Sequence, residues 1–90
     1  MKPEQLLDLR VAILRELYRV QPLGRRVVML HKLVQQEVNC DESDIAAQLT
    51  FLLGKSFVRE IKADDIAPGL EPFWFITAAG MAHCEEKRLV

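Results

Sequence analysis

The feature that most constrains the fold is a change in the spacing of apolar residues along the chain. Apolar residues recur at helical spacing in 6–20, and again, with one interruption, in 27–55. In 57–62 and 73–76 the composition becomes β-branched and aromatic, which is typical of strands. Residues 73–76 are apolar on both faces, so we expect that strand to be covered on both sides. Segment 77–87 returns to a helical pattern that Thr77 can cap. The chain is therefore predicted to be an α+β domain.

Two breaks divide the first, helical part into three helices. Pro22 has no backbone N–H to donate, so the first helix ends before it. Residues 39–41 form a compact turn, and Asp41 or Ser43 can cap the helix that follows. That third helix is expected to bury Ile45, Ala46, Leu49, Leu52 and Leu53. Two helices joined by so short a turn are a helix-turn-helix candidate. Residues 25–28 fit either the start of the second helix or a short strand.

The size and composition of the chain favour one intracellular domain. Its 90 residues suffice for a single core, so 1–90 is predicted to be one domain. The two cysteines, Cys40 and Cys84, are too few for a disulfide scaffold, and no apolar leader or membrane-length run is present. We expect a cytoplasmic protein with reduced thiols and no membrane partner.

The first helix carries more apolar surface than one core needs. Its two adjoining apolar stripes together cover about 200° of the helix, and a single packed face takes about half of that. Arg10 lies inside this arc, where its charge must reach solvent or find a partner. We therefore predict a homodimer that buries the second stripe. The predicted interface is Leu7, Arg10, Val11, Leu14 and Tyr18.

The order helix, helix, turn, helix, strand, loop, strand, helix resembles the winged helix-turn-helix superfamily of small bacterial and phage regulators. Residues 44–58 look like a recognition helix leading into the wing. Residues 75–80 are similar to the aromatic-aliphatic-Thr-x-x-Gly segment that closes the wing in many bacterial regulators. In that segment Gly80 would let the last helix approach the sheet closely. One departure is Ser56, which stands where many relatives carry glycine.

The resemblance covers residues 6–88 and implies a fold, a partner and a function, which is that of a dimeric DNA-binding transcriptional regulator. The fold is a three-helix core with a two- or three-stranded β-wing and a C-terminal helix. In this superfamily the third helix enters the major groove of double-stranded DNA, and the wing touches the phosphate backbone. Gln48 could then bond adenine and Lys55 could reach phosphate. The predicted contact residues are Ser43, Asp44, Ala47, Gln48, Phe51 and Lys55, with Arg25 and Arg26 beside them.

Other residues favour a protein partner instead of DNA. The net charge is −1, whereas DNA-binding domains usually carry basic excess. The predicted wing offers Asp64, Asp65 and Glu71 and no cation at its tip. Phe51 falls on the side of the third helix predicted to be exposed, where it could anchor a protein contact. If the helix is rotated from this estimate, Phe51 is a core residue, so both readings stay open.

A basic stripe on the first helix has two interpretations as well. Arg15 and Arg19 are four residues apart and could join Arg25 and Arg26 in one DNA-facing surface. The simpler interpretation, which we favour, is a solvated face neutralised by Glu16. The alternative function is thus a winged-helix protein interaction module without direct DNA binding.

Catalysis and metal binding are not predicted. Four residues are of zinc-ligating types: His31, Cys40, His83 and Cys84. His83 and Cys84 are adjacent and point about 100° apart on a helix, and no closely spaced cysteine pair exists. Phosphate-binding glycine loops and Ser-His-Asp arrangements are missing as well. We expect a protein that is not an enzyme and that needs no cofactor.

Overall fold

The computed structural model describes residues 1–62 and 68–90. Within them the architecture is α+β, with four helices and a two-stranded antiparallel sheet. The elements are α1 (Pro3–Val20), α2 (Val27–Val34), α3 (Glu42–Gly54), β1 (Val58–Ile61), β2 (Phe73–Ile76) and α4 (Ala78–Glu86). Each helix and strand expected from the sequence is present. The two aspartates of the predicted acidic wing, Asp64 and Asp65, lie outside the described residues.

Two helices begin at caps that the sequence predicts. The Asp41 carboxylate accepts a hydrogen bond from the backbone N–H of Asp44 at 2.9 Å, and the Asp44 carboxylate accepts one from the N–H of Asp41 at 3.0 Å. Ser43 donates its hydroxyl to Asp41, so Asp41 is the cap of α3. At α4, the Thr77 hydroxyl oxygen accepts from the N–H of Gly80 at 3.0 Å. In the described chain, none of the helices has the length and apolar character of a membrane span.

The link between α1 and α2 pairs with the edge of the sheet through a single-residue bridge. β1 and β2 pair antiparallel, with Arg59 opposite Phe75. Arg25 and Trp74 form an isolated antiparallel bridge, in which each backbone N–H donates to the other's carbonyl at 2.9 and 2.8 Å. This bridge decides the open question at residues 25–28, because Arg25 pairs as a strand would and α2 begins at Val27.

The core lies between the three N-terminal helices and one face of the β1–β2 ribbon. The ribbon contributes Val58, Trp74 and Ile76 to it. Fully buried helix residues include Leu9, Ile13, Leu17, Leu30, Ile45, Leu49 and Leu52. The expectation that β2 is buried on both faces is wrong, since Phe73 and Phe75 are only half-buried. Strand alternation sends these two rings to the opposite, outer face.

The passage from α3 into β1 runs against the start of α4. Ser56 adopts the left-handed conformation, with φ of 64°. Many winged-helix proteins carry glycine at this position, and glycine adopts this conformation at little cost. The Ser56 backbone carbonyl accepts a hydrogen bond from the Thr77 hydroxyl at 2.6 Å. The next carbonyl, that of Phe57, accepts from the backbone N–H of Thr77 at 3.0 Å. These two bonds hold the end of the helical core against the helix that follows the wing.

Ser56→Gly is expected to raise the free energy of unfolding by about 0.5–1 kcal/mol. A non-glycine residue in the left-handed region costs about 1–2 kcal/mol, and glycine returns about 0.5–1 kcal/mol of that through its greater freedom in the unfolded chain. The carbonyl that Thr77 uses is kept in the variant. The midpoint of urea denaturation measures the change. A midpoint below that of the wild type would show that the serine side chain contributes more than its backbone strain costs.

Candidate nucleic-acid interface

The solvent-facing side of α3 after Glu42 is uncharged. Its exposed positions are Ser43, Ala46, Ala47, Thr50, Phe51, Leu53 and Gly54, of which only Phe51 and Leu53 have large side chains. The Thr50 hydroxyl donates to the Ala46 carbonyl of its own helix at 3.1 Å. Because the other five side chains are short, another molecule can approach the helix backbone closely at those positions.

The rotation of α3 differs from the expected one. Gln48, expected on the solvent side, is only 8% exposed. Ala46 and Leu53, expected in the core, are exposed. The cause is Arg10 on α1, whose Nε donates to the Gln48 Oε1 at 2.7 Å. Arg10 thus donates one guanidinium N–H to a buried amide oxygen, and Gln48 is not presented for reading a base.

Phe51 lies on the exposed side of α3, as predicted for a helix in the expected rotation, and is 40% exposed. The Arg10 guanidinium carbon is 3.8 Å from the centre of its ring, and the Lys55 Nζ is 5.7 Å from the same centre. Both distances are within the range of cation–π attraction. Phe51 is therefore neither a core residue nor an isolated aromatic, because two cations share its ring.

The N-terminal end of α3 is negatively charged. The Ser43 hydroxyl and the backbone N–H of Asp44 both donate to the Asp41 carboxylate, and these bonds lower the pKa of Asp41. Asp44, predicted as a contact residue, is half-buried and is taken up by the cap. Glu42 is exposed beside them. Acidic groups here favour the helix dipole and repel phosphate.

The basic stripe is neutralised where it meets Glu16. The Glu16 carboxylate pairs with Arg19 at 2.8 Å and with Arg25 at 3.2 Å. This arrangement fits the simpler interpretation of a solvated face with its own counterion. Arg25, a predicted contact residue, is thereby held to α1, whereas the neighbouring Arg26 is exposed.

The outer face of the ribbon is formed by Arg59, Ile61, Phe73 and Phe75. An arginine side chain lies over each of its two aromatic rings. The Arg59 guanidinium carbon lies 5.1 Å from the centre of the Phe75 ring. Arg26 reaches over Phe73 at 6.0 Å. Among the described residues neither arginine has a carboxylate within ion-pair distance. Both guanidinium groups are therefore at the surface, within cation–π distance of a ring, and keep hydrogen-bond donors for another molecule.

Arg59 is not among the contact residues predicted from the sequence. Register pairing puts it opposite Phe75, and a close approach of Gly24 to the Phe75 ring helps to fix that ring. A Cβ added to Gly24 would lie 2.7 Å from the ring. The available signal was the alternation within β1, which places Arg59 and Ile61 on the face opposite to buried Val58.

Some residues of the predicted dimer interface are buried or hydrogen-bonded within the chain itself. Leu7 is 59% exposed, and Arg10 and Val11 are half-buried. Leu14 is 2% exposed, so it cannot contribute to an interface. The Tyr18 hydroxyl donates to the Glu85 carboxylate at 2.8 Å, which raises the pKa of Tyr18 and ties this residue to α4. The homodimer itself stays a prediction.

The four residues of zinc-ligating types lie in different surroundings. His31 Nε2 is 2.9 Å from the Cys40 carbonyl oxygen, and the ring of His83 stacks on Phe57 with centroids 4.3 Å apart. Burial raises the pKa of both the Cys40 and the Cys84 thiols. Within 1–62 and 68–90, no three His, Cys, Asp or Glu side chains come together as a group able to hold a metal ion.

Comparison with known proteins gives a likeness of fold. No family model matches the chain, and no curated protein matches it in sequence. The crystal structure of SSV1 F-93 superposes with a TM-score of 0.64 at 19% sequence identity, over 87% of this chain and 79% of that chain. With the element order described above, this likeness shows a small α+β fold compatible with the winged-helix architecture.

Proposed function

We propose that this protein is a winged-helix regulator that binds duplex DNA and has no catalytic activity. The observation that carries the proposal is the pair of guanidinium groups, Arg26 and Arg59, that lie over the aromatic rings on the outer face of the ribbon. Arginine presents a rigid fork of donors that matches the oxygens of a phosphate. Two forks on the wing side of the domain supply the backbone contacts that position a winged helix on DNA.

The small face of α3 suits the role of the helix that enters the major groove. Alanine and threonine methyl groups can contact the methyl group of thymine, and serine or threonine hydroxyls can bond base edges. With Gln48 buried against Arg10, this face has neither an amide nor a guanidinium to make a bidentate base contact. We therefore expect affinity to rest on phosphate contacts and sequence discrimination to be modest.

A second candidate function has its own support. Phe51 is 40% exposed and Leu53 is 42% exposed, and both lie on or beside the uncharged side of α3. Apolar exposure of this kind suits a protein contact better than a phosphate surface. In that case the domain is an interaction module, and α3 docks onto a partner protein.

Salt dependence separates the two candidates. Fluorescence anisotropy with a labelled duplex of mixed sequence measures binding at 50 and 200 mM salt. Two to four phosphate contacts predict an affinity that falls on the order of tenfold or more across this range, because each contact releases condensed counterions. A chain that leaves the duplex unbound at 50 mM salt, or binds it equally at both concentrations, is not a DNA-binding regulator, and the interaction module is then favoured.

A further inference from the structure

An apolar cleft of about 270 Å³ opens between α1, the C-terminal end of α3 and the end of the chain. Its walls include Leu7, Val11, Phe57 and Leu89. Ligand sites in proteins usually start at about 300 Å³, so the cleft suits a compact molecule of one or two rings. Since α3 forms one wall, an occupant of the cleft would contact that helix directly.

The charged side chains that line the cleft are basic and not acidic. No aspartate or glutamate is among the described residues that line it, although the chain has 13 acidic residues against 12 basic ones. Arg10 and Lys55 both line it, and their charged groups lie 3.8 and 5.7 Å from the centre of the Phe51 ring. Two like charges that converge on one ring repel each other, and an anion between them would relieve that repulsion.

We propose that this cleft binds a small amphipathic monocarboxylate. Its apolar body would lie between Val11, Phe57 and Leu89, and its carboxylate would meet Arg10 and Lys55. Because Arg10 uses its Nε to bond Gln48, the terminal nitrogens of its guanidinium are directed by a buried partner and keep donors for the ligand. The binding does not depend on DNA, so it is tested without DNA.

A second copy of the chain is the competing occupant. Leu7, Arg10 and Val11 belong both to the cleft and to the dimer interface predicted from the sequence. A copy seated there would need a continuous apolar ridge to insert. Leu14 is buried and Tyr18 is bonded to Glu85, so the predicted stripe does not form such a ridge. The concave shape and the converging cations favour a small anion.

The test compares two ligands of nearly the same shape, 1-naphthoate and the neutral 1-naphthalenemethanol, titrated into the intact chain and followed by amide NMR shifts. We expect 1-naphthoate to bind at least about fivefold more tightly, with shifts centred on Val11, Phe57 and Leu89. Lys55→Ala should remove most of this preference. Lys32→Ala is the matched control, because Lys32 is exposed on α2 outside the cleft, and it should bind both ligands as the wild type does.

Three results would overturn the proposal. Equal affinity for the acid and the alcohol would show that the cations do not select the ligand. Absence of shifts at the cleft residues would show that the cleft does not bind this class of molecule. Shifts of the same residues on raising the protein concentration alone would identify a second copy as the occupant. The melting temperature of Lys55→Ala, expected to equal that of the wild type, excludes loss of fold as the cause of weaker binding.

Discussion

Gly80→Ala is expected to lower the free energy of unfolding by about 3 kcal/mol or more, which is a large part of the stability of so small a domain. A Cβ at Gly80 would lie 2.1 Å from the Phe57 carbonyl oxygen and 2.8 Å from Ile76 Cγ1. The oxygen belongs to the backbone and is held by its bond to the N–H of Thr77, so it cannot turn aside. Relief requires α4 to move away from the ribbon.

Gly54→Ala is the matched control for this prediction. Gly54 lies in the last turn of α3, and a Cβ added there meets no atom within 4 Å. This substitution should therefore be neutral or stabilise the domain by up to about 1 kcal/mol through helix propensity. Urea denaturation followed by circular dichroism compares both variants with the wild type. A Gly80→Ala protein within about 0.5 kcal/mol of the wild type would contradict the close approach described for α4.

The junction around Gly80 was predictable from the sequence because its determinants are local. The Thr77 cap and the glycine three residues later form one short motif, and both roles are confirmed by the hydrogen bond and the close approach. The positions of the helices and strands were likewise predictable from apolar spacing. The sequence does not predict the bridge between Arg25 and Trp74, because its two residues lie far apart in the chain and only the fold brings them together.

The rotation of α3 could not be predicted from its own residues. Alanine and leucine occur around much of this helix, so apolar spacing defines its buried side poorly. The deciding contact, from Arg10 to Gln48, joins residues 38 positions apart. A polar residue next to an apolar stripe is ordinarily placed in solvent. Gln48 is buried because a charged side chain on another helix needs a partner there.

The outer face of the ribbon was missed for a related reason. Phe73 and Phe75 alternate with buried Trp74 and Ile76, so the whole strand reads as apolar and was expected to be covered on both sides. What partly covers the two phenylalanines is a pair of arginines from other segments. A cation that packs on a ring has no signature in apolar spacing. The pairing becomes visible only from the register of the strands.

Reversing the charges of Arg26 and Arg59 together is expected to lower the affinity for duplex DNA about 100-fold at low salt. If each arginine contacts one phosphate, each reversal removes one charge-assisted contact and adds a repulsive carboxylate. The slope of log affinity against log salt should also fall by about 2, because two fewer counterions are released. The variant is Arg26→Glu/Arg59→Glu, measured by anisotropy against the same duplex as the wild type.

The control must change the net charge equally without touching the outer face of the ribbon. Lys32 is exposed on α2 and Lys87 is exposed just after α4, so Lys32→Glu/Lys87→Glu shifts the net charge by the same −4. We expect this control to keep the wild-type salt slope and to lose only a small part of the affinity through the long-range field. If both double variants lose affinity to the same extent, net charge alone governs binding, and Arg26 and Arg59 are not the phosphate contacts.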